Sequence, residues 1–209
     1  MNWEIREQPD KEILEKLHSE INIPKFICTL LLQRNIDSLK LAQAYFRPNL
    51  DELNDPFMMK DMDKSVDRLI RAIEGNEKIM ILGDYDVDGT TSVSMLYDYF
   101  KKKTLDPIYY IPDRYKEGYG VSNESIDFAV ENGVSLLITI DCGIKANDKI
   151  ESANKNGIDV IICDHHIPDN TVPKAYSIIN PNQDKCDYPF KGLCGCGIGF
   201  KLISAMKKQ

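Results

Sequence analysis

The stretch Ile79-Met80-Ile81-Leu82-Gly83-Asp84-Tyr85-Asp86-Val87-Asp88-Gly89-Thr90 joins four consecutive apolar residues to a loop carrying three acids. A short apolar run without polar alternation is the pattern of a strand buried on both faces, and such strands belong to parallel sheets covered by helices. On its N-terminal side, Val66, Leu69, Ile70 and Ile73 fall at helical spacing and Gly75 supplies a stop. On its C-terminal side the alternation continues. A helix carries Val93, Leu96, Tyr97 and Phe100, a strand runs near Ile108 to Ile111, and a helix carries Ile126, Ala129 and Val130. The strand Leu136 to Ile140, a helix from about Lys145 to Asn156 and the strand Val160 to Ile162 follow. The expectation is an α/β fold, a parallel β-sheet flanked by helices, in which ligands bind beyond the carboxyl ends of the strands.

Residues 1–55 read differently. Leu14, Leu17 and Ile21 share one helical face, and Ser38 through Phe46 reads as a helix that Pro48 ends. We expect an N-terminal helical layer over 1–55 and, after the turn-like Asn54-Asp55-Pro56, the α/β domain over 56–209.

Composition narrows the function. No apolar run approaches the roughly eighteen residues of a membrane helix, and Met1-Asn2-Trp3-Glu4-Ile5-Arg6 lacks a signal-peptide pattern, so the chain reads as cytoplasmic with no membrane partner. Six irregularly spaced cysteines in 209 residues read as free thiols. Cys186, Cys194 and Cys196 lie close enough to suggest zinc, but no fourth Cys or His is nearby to complete a tetrahedral set. The net charge of −7 argues against a protein that coats nucleic acid, although bound cations would reverse an acidic cluster locally. Lys101-Lys102-Lys103 reads as a solvated helix end favoured by the dipole.

Three clusters follow three strands: Asp84, Asp86 and Asp88 after Leu82, Asp141 after Ile140, and Asp164-His165-His166 after Cys163. Lone acids in loops are usually solvated, but three sets at successive strand ends converge on one sheet edge. Carboxylates suit Mg²⁺ and Mn²⁺, and imidazole suits Mn²⁺. A two-metal site holds its ions roughly 3.5–4 Å apart and stabilises the attacking and leaving oxygens of an in-line displacement at phosphorus. Phosphodiester hydrolysis is the natural chemistry. Two competitors exist. Asp84 to Gly89 begins like an EF-hand loop, but Met95 stands at the glutamate position and a strand precedes it. Asp86-Val87-Asp88-Gly89-Thr90 is also similar to the nucleophile loop of haloacid-dehalogenase-like phosphatases, where the histidine pair would have no role.

Taken together, Asp84-Tyr85-Asp86-Val87-Asp88-Gly89, Asp141 in Ile140-Asp141-Cys142-Gly143, and Asp164-His165-His166 resemble three motifs of the DHH phosphoesterase family, in its order. Further segments point to the family's branch of exonucleases specific for single-stranded DNA: Ala44 to Pro48, Pro56 to Met62, Pro112 to Gly120, Asn180 to Gln183 and Gly195 to Lys201. The resemblance implies Mn²⁺ or Mg²⁺ as cofactor, two ions in the complete enzyme, and 5′-to-3′ hydrolysis of single-stranded DNA to 5′-mononucleotides in repair and recombination. Single-strand-binding protein and a helicase are the implied protein partners. Asp86 would hold one ion, Asp88 the other, Asp141 would bridge them and His165 would complete the protein donors of the second ion. His166 would contact the scissile phosphate, Asp164 would stand with it in the catalytic set by orienting a neighbour, and Asp84 would lie behind the ligands.

Arg114, Lys116 and Gly118 would bind substrate, two cations beside glycines that let backbone approach a phosphate. Tyr115 and Tyr119 offer either stacking surfaces for bases or packing. Leu82 stands where several members carry a histidine ligand, which implies a weaker first metal. The family's fourth motif, a further metal-binding Asp, and its DHH-associated and OB-type domains are expected beyond Gln209, so that the 209-residue chain binds metal weakly and cleaves poorly. Alternatives are an oligonucleotide phosphodiesterase of the same family or a non-catalytic fragment that binds partners. Cys142 and Cys163, beside expected ligands, suggest a site sensitive to oxidation.

Overall fold

A computed structural model describes residues 4–103 and 106–209. Met1 to Trp3 of the amino-terminal pattern lie outside the described residues. The chain divides at Leu53/Asn54 into two units.

The first unit contains α1 (Lys11–Ile21), α2 (Lys25–Leu32) and α3 (Leu39–Phe46). Asp10 caps α1 by accepting from the Glu12 and Ile13 N–H groups. Leu17, Cys28 and Leu31 are its buried centre. The sequence reading omitted α2 because Lys25-Phe26-Ile27-Cys28-Thr29-Leu30-Leu31-Leu32 carries apolar residues around its circumference and shows no helical stripe.

In the second unit, α4 (Met62–Glu74) leads to β1 (Ile79–Gly83), α5 (Val87–Lys101), β2 (Ile108–Tyr110), α6 (Asn123–Glu131) and β3 (Leu136–Ile140). Next come α7 (Asn147–Lys155), β4 (Asp159–Cys163), β5 (Ser177–Ile179) and α8 (Gly195–Met206). The five strands form one parallel sheet in the order β2-β1-β3-β4-β5. Successive strand residues face opposite sides. Ile79 and Ile81 therefore pack with α4, α5 and α8, while Met80 and Leu82 pack with α6 and α7. Each helix layer shields one face, which is why β1 and β3 are buried along their whole length. Val130 turns outward from α6.

Two elements of this unit were not anticipated. β5 is three residues long and opens on a serine. α8 contains Gly195, Gly197 and Gly199 and has the composition of a loop. Close packing explains the last glycine: a Cβ on Gly199 would lie 2.9 Å from Met95 Cε. A buried cation fastens α4 to the sheet, with Arg68 donating to Glu77 at 2.6 and 3.0 Å and to Asp159 at 2.7 Å. Among the described residues no helix is long and apolar enough to cross a membrane.

Candidate metal centre

The three expected clusters meet at the carboxyl ends of β1, β3 and β4. After β1 the chain folds tightly onto α5, where a Cβ on Gly89 would lie 2.3 Å from the Asp84 carbonyl oxygen, so only glycine fits. Asp86 is the N-cap of α5 and accepts from the Gly89 N–H at 2.9 Å. Asp88, one step into the helix, reaches sideways: its two oxygens accept from the Gly195 and Cys196 N–H groups, each at 2.7 Å. The carboxylate thus satisfies two open donors in the first turn of α8 and anchors that helix beside the site.

Asp141 follows β3 with left-handed backbone, φ 61°. Its N–H donates to the Cys163 carbonyl at 2.9 Å and its own carbonyl accepts from the Tyr119 hydroxyl at 2.8 Å. Gly195 packs directly on its side chain, since a Cβ there would come within 2.8 Å of Oδ1. His165 Nε2 lies 3.0 Å from Asp141 Oδ1 and 3.8 Å from Asp88 Oδ2. Asp141, His165 and His166 bring donor atoms within 4.8 Å of one another.

Asp164 is fully buried and supports the pair. Oδ1 accepts from the His165 N–H at 2.7 Å, the His166 N–H at 3.1 Å and His166 Nδ1 at 2.7 Å, and Oδ2 accepts from the Ile144 N–H at 3.0 Å. A carboxylate so enclosed positions its neighbours. Asn180 and Asn182 donate to the carbonyls of His166 and His165 at 2.9 and 2.7 Å, holding the loop from the β5 side. Their positions in the chain gave no hint of this beyond the quoted family segment.

The charge pattern asks for a cation. Asp84 is 1% exposed, and its Oδ1 is the one buried side-chain polar atom without a partner among the described residues. Burial pushes the Asp141 carboxyl up to about 8, helped by the charges of Asp88, Asp86, Asp164 and Asp84. Hard carboxylate oxygens with imidazole nitrogen fit Mn²⁺ or Mg²⁺. Leu82 is fully buried in the core and offers no donor. β1, not a helix, precedes the acid loop, which removes the EF-hand reading, and the imidazole on Asp141 has no counterpart in the aspartyl-phosphate reading. Burial holds the Cys142 and Cys163 thiols protonated, unlike the exposed thiolates that oxidise readily.

The 112–120 segment stands close by. Glu117 ties it down by accepting from the Asp113 N–H at 2.8 Å, the Tyr110 hydroxyl at 2.9 Å and the Ser122 hydroxyl at 2.5 Å. Arg114 lies over the Tyr85 ring at 5.2 Å, and Tyr85 meets Tyr119 edge-on. Gly118 has φ 84°, the Lys116 N–H caps onto Asp113, and Tyr115 is 95% exposed, which leaves its ring available for stacking.

Residues 78–209 match the DHH family, N-terminal domain. The chain belongs to the DHH family. It is 41% identical over 206 residues to the single-stranded-DNA-specific exonuclease RecJ of Bacillus subtilis, covering 99% of this chain and 26% of that protein. To RecJ of Escherichia coli K12 it is 37% identical over 150 residues, 71% of this chain and 26% of that one. The chain thus spans about a quarter of these curated relatives. Among solved structures, an exonuclease RecJ bound to manganese superposes with a TM-score of 0.63 at 30% identity, covering 72% of this chain and 38% of the other. RecJ from Thermus thermophilus in complex with Mn²⁺ gives a TM-score of 0.75 at 22% identity, covering 96% and 28%, a likeness of fold. The matched DHH region contains Asp84, Asp86, Asp88, Asp141, Asp164, His165 and His166.

Proposed function

We propose that this chain carries the metal-binding core of a phosphodiesterase that hydrolyses single-stranded DNA from the 5′ end to 5′-mononucleotides. The observation that carries the reading is the meeting of Asp141, His165 and Asp88 from three separate strand ends. Support comes from relatives named for single-stranded-DNA-specific exonuclease activity and from a related structure holding manganese.

Asp86, Asp88, Asp141 and His165 would hold the ions, Mn²⁺ or Mg²⁺, which when bound stabilise the charge on the attacking and leaving oxygens. His166 has its Nδ1 fixed on Asp164 at 2.7 Å, so its Nε2 is directed by the fold and donates to a nonbridging phosphate oxygen when it carries a proton. Asp164 fixes that ring, and Asp84 adds negative charge behind the donors. Arg114 and Lys116 bind backbone phosphates on the loop that Gly118 lets turn. In the cell we place the activity in the cytoplasm, in DNA repair and recombination, with single-strand-binding protein and a helicase as partners.

The test is calorimetric titration of Mn²⁺ into the chain and its Asp141→Asn variant, with cleavage of a 5′-labelled single strand followed in parallel. We expect the variant to bind at least about tenfold more weakly. Equal binding by both proteins would remove Asp141 from the site and with it this reading.

A further inference from the structure

A cleft of about 400 Å³ lies between α4 and the start of β5, lined by Lys64, Asp67, Ile70, Arg71 and Tyr176. The metal donors stand at the other end of the strands. The register pairs Ser177 with Ile161, three residues or roughly 10 Å short of Asp164, and Tyr176 is one step farther back. We propose that this cleft binds a phosphomonoester. Its dianionic phosphate is held by Arg71, Lys64 and the Tyr176 hydroxyl, and its organic group rests on Ile70 and the Tyr176 ring. The proposal is independent of the phosphodiesterase reading.

Three observations carry it. The first is positive charge without a counterion. Arg71 donates through Nε to the Asp67 carbonyl at 3.3 Å and through Nη2 to the Tyr176 hydroxyl, both neutral acceptors. Among the described residues no carboxylate lies within 4 Å of the Arg71 or Lys64 nitrogens. Glu77, just beyond the end of α4, is taken by Arg68 at 2.6 and 3.0 Å. The second is preorganisation. Lys64 Nζ stands 4.8 Å from the centre of the Tyr176 ring and the Arg71 guanidinium carbon 5.8 Å from it, so one aromatic ring gathers two cations that lie two helical turns apart. Arg71 keeps its Nη1 protons for an oxyanion, and Tyr176, which accepts from Arg71, keeps its own proton to donate. Three donor groups match the three terminal oxygens of a phosphomonoester better than the two of a carboxylate. The third is the floor. Ile70 and the tyrosine ring offer apolar surface that a free phosphate leaves uncovered, and the volume falls within the range of small-molecule sites.

Asp67 is the one acid lining the cleft among the described residues, and its carboxylate pairs with neither cation. Its charge opposes an anion, whereas the carbonyl that holds Arg71 belongs to the backbone and survives a change of side chain. Removing the charge should therefore tighten binding, the opposite of what a site for cations would show.

The experiment is NMR of the ¹⁵N-labelled 209-residue chain in metal-free buffer at about pH 7.5, where a phosphomonoester is largely dianionic. Phenyl phosphate, inorganic phosphate and dimethyl phosphate are titrated separately. Phenyl phosphate should shift the amides of Lys64, Asp67, Ile70, Arg71 and Tyr176 with a millimolar Kd. Inorganic phosphate, which lacks the apolar contact, and dimethyl phosphate, which carries a single charge, should each bind at least about threefold more weakly. Arg71→Ala should raise the phenyl phosphate Kd about tenfold, Tyr176→Phe, which keeps the ring, about threefold, and Asp67→Asn should lower it about twofold. If Arg71→Ala does not fold, Lys64→Ala should raise Kd about threefold. No shift of these amides up to about 10 mM phenyl phosphate, equal binding of either of the other two anions, an unchanged Kd in the folded cation variant, or weaker binding by Asp67→Asn would each overturn the proposal.

Discussion

At the scale of single residues, Asp141 and Gly195 share one piece of space. A methyl group on Gly195 would fall 2.6 Å from Asp141 Cβ, and Asp141 is 2% exposed with no room to retreat. Gly195→Ala should cost about 1–3 kcal/mol and, by displacing the carboxylate, lower Mn²⁺ affinity about tenfold, as thermal melting and calorimetry would show. Asp141 also makes the metal-free protein sensitive to alkali. Its carboxyl is raised to about 8 from an ordinary 3.8, so its contribution to stability is complete below 3.8 and lost as pH rises through 8. In metal-free buffer, Asp141→Asn should melt like the parent near pH 3.5, above it at pH 6 and further above it at pH 9. The acids and the histidine pair were legible in the chain because their chemistry is local to each strand end. Gly195 stood in a quoted family segment, but its role was not legible, since its reason is a side chain more than fifty positions earlier.

At the scale of elements, charged side chains decide where helices dock. Arg68 joins α4 to both Glu77 and Asp159, and it is 6% exposed. Arg68→Ala should destabilise by about 3 kcal/mol in denaturant titrations at neutral pH. Arg68 holds the Glu77 carboxyl below its ordinary value of 4.5, so this stabilisation is present above 4.5 and fades as pH falls through the lowered value. The same substitution should therefore cost less at pH 3. β1, β3 and β4 could be read directly because strands buried on both faces leave unbroken apolar runs. α2 and α8 could not. The first lacks a polar face, and the second owes its start to Asp88, which accepts two of its N–H groups from a distant helix. Propensity argues against a glycine-rich helix, and that remote carboxylate supplies what propensity withholds.

At the scale of the whole molecule, stability is unevenly distributed. The sheet lies between two large apolar layers, whereas α1 to α3 surround a centre of three buried residues, Leu17, Cys28 and Leu31. Hydrogen exchange read by mass spectrometry should show β1, β3 and β4 exchanging slowest and α1 to α3 at least about tenfold faster. Equal protection in both units would contradict this. The spread of the donors has a further consequence for how the protein is made. A ribosome delivers Asp86 and Asp88 long before His165, and the backbone groups that grip Asp88 arrive later still, at Gly195 and Cys196. Under the proposed assignment the donor set is therefore incomplete as each acid emerges. If these residues hold the ion as proposed, their full set comes together only after synthesis has passed Cys196 and the strands have closed, which couples metal uptake to folding of this α/β unit.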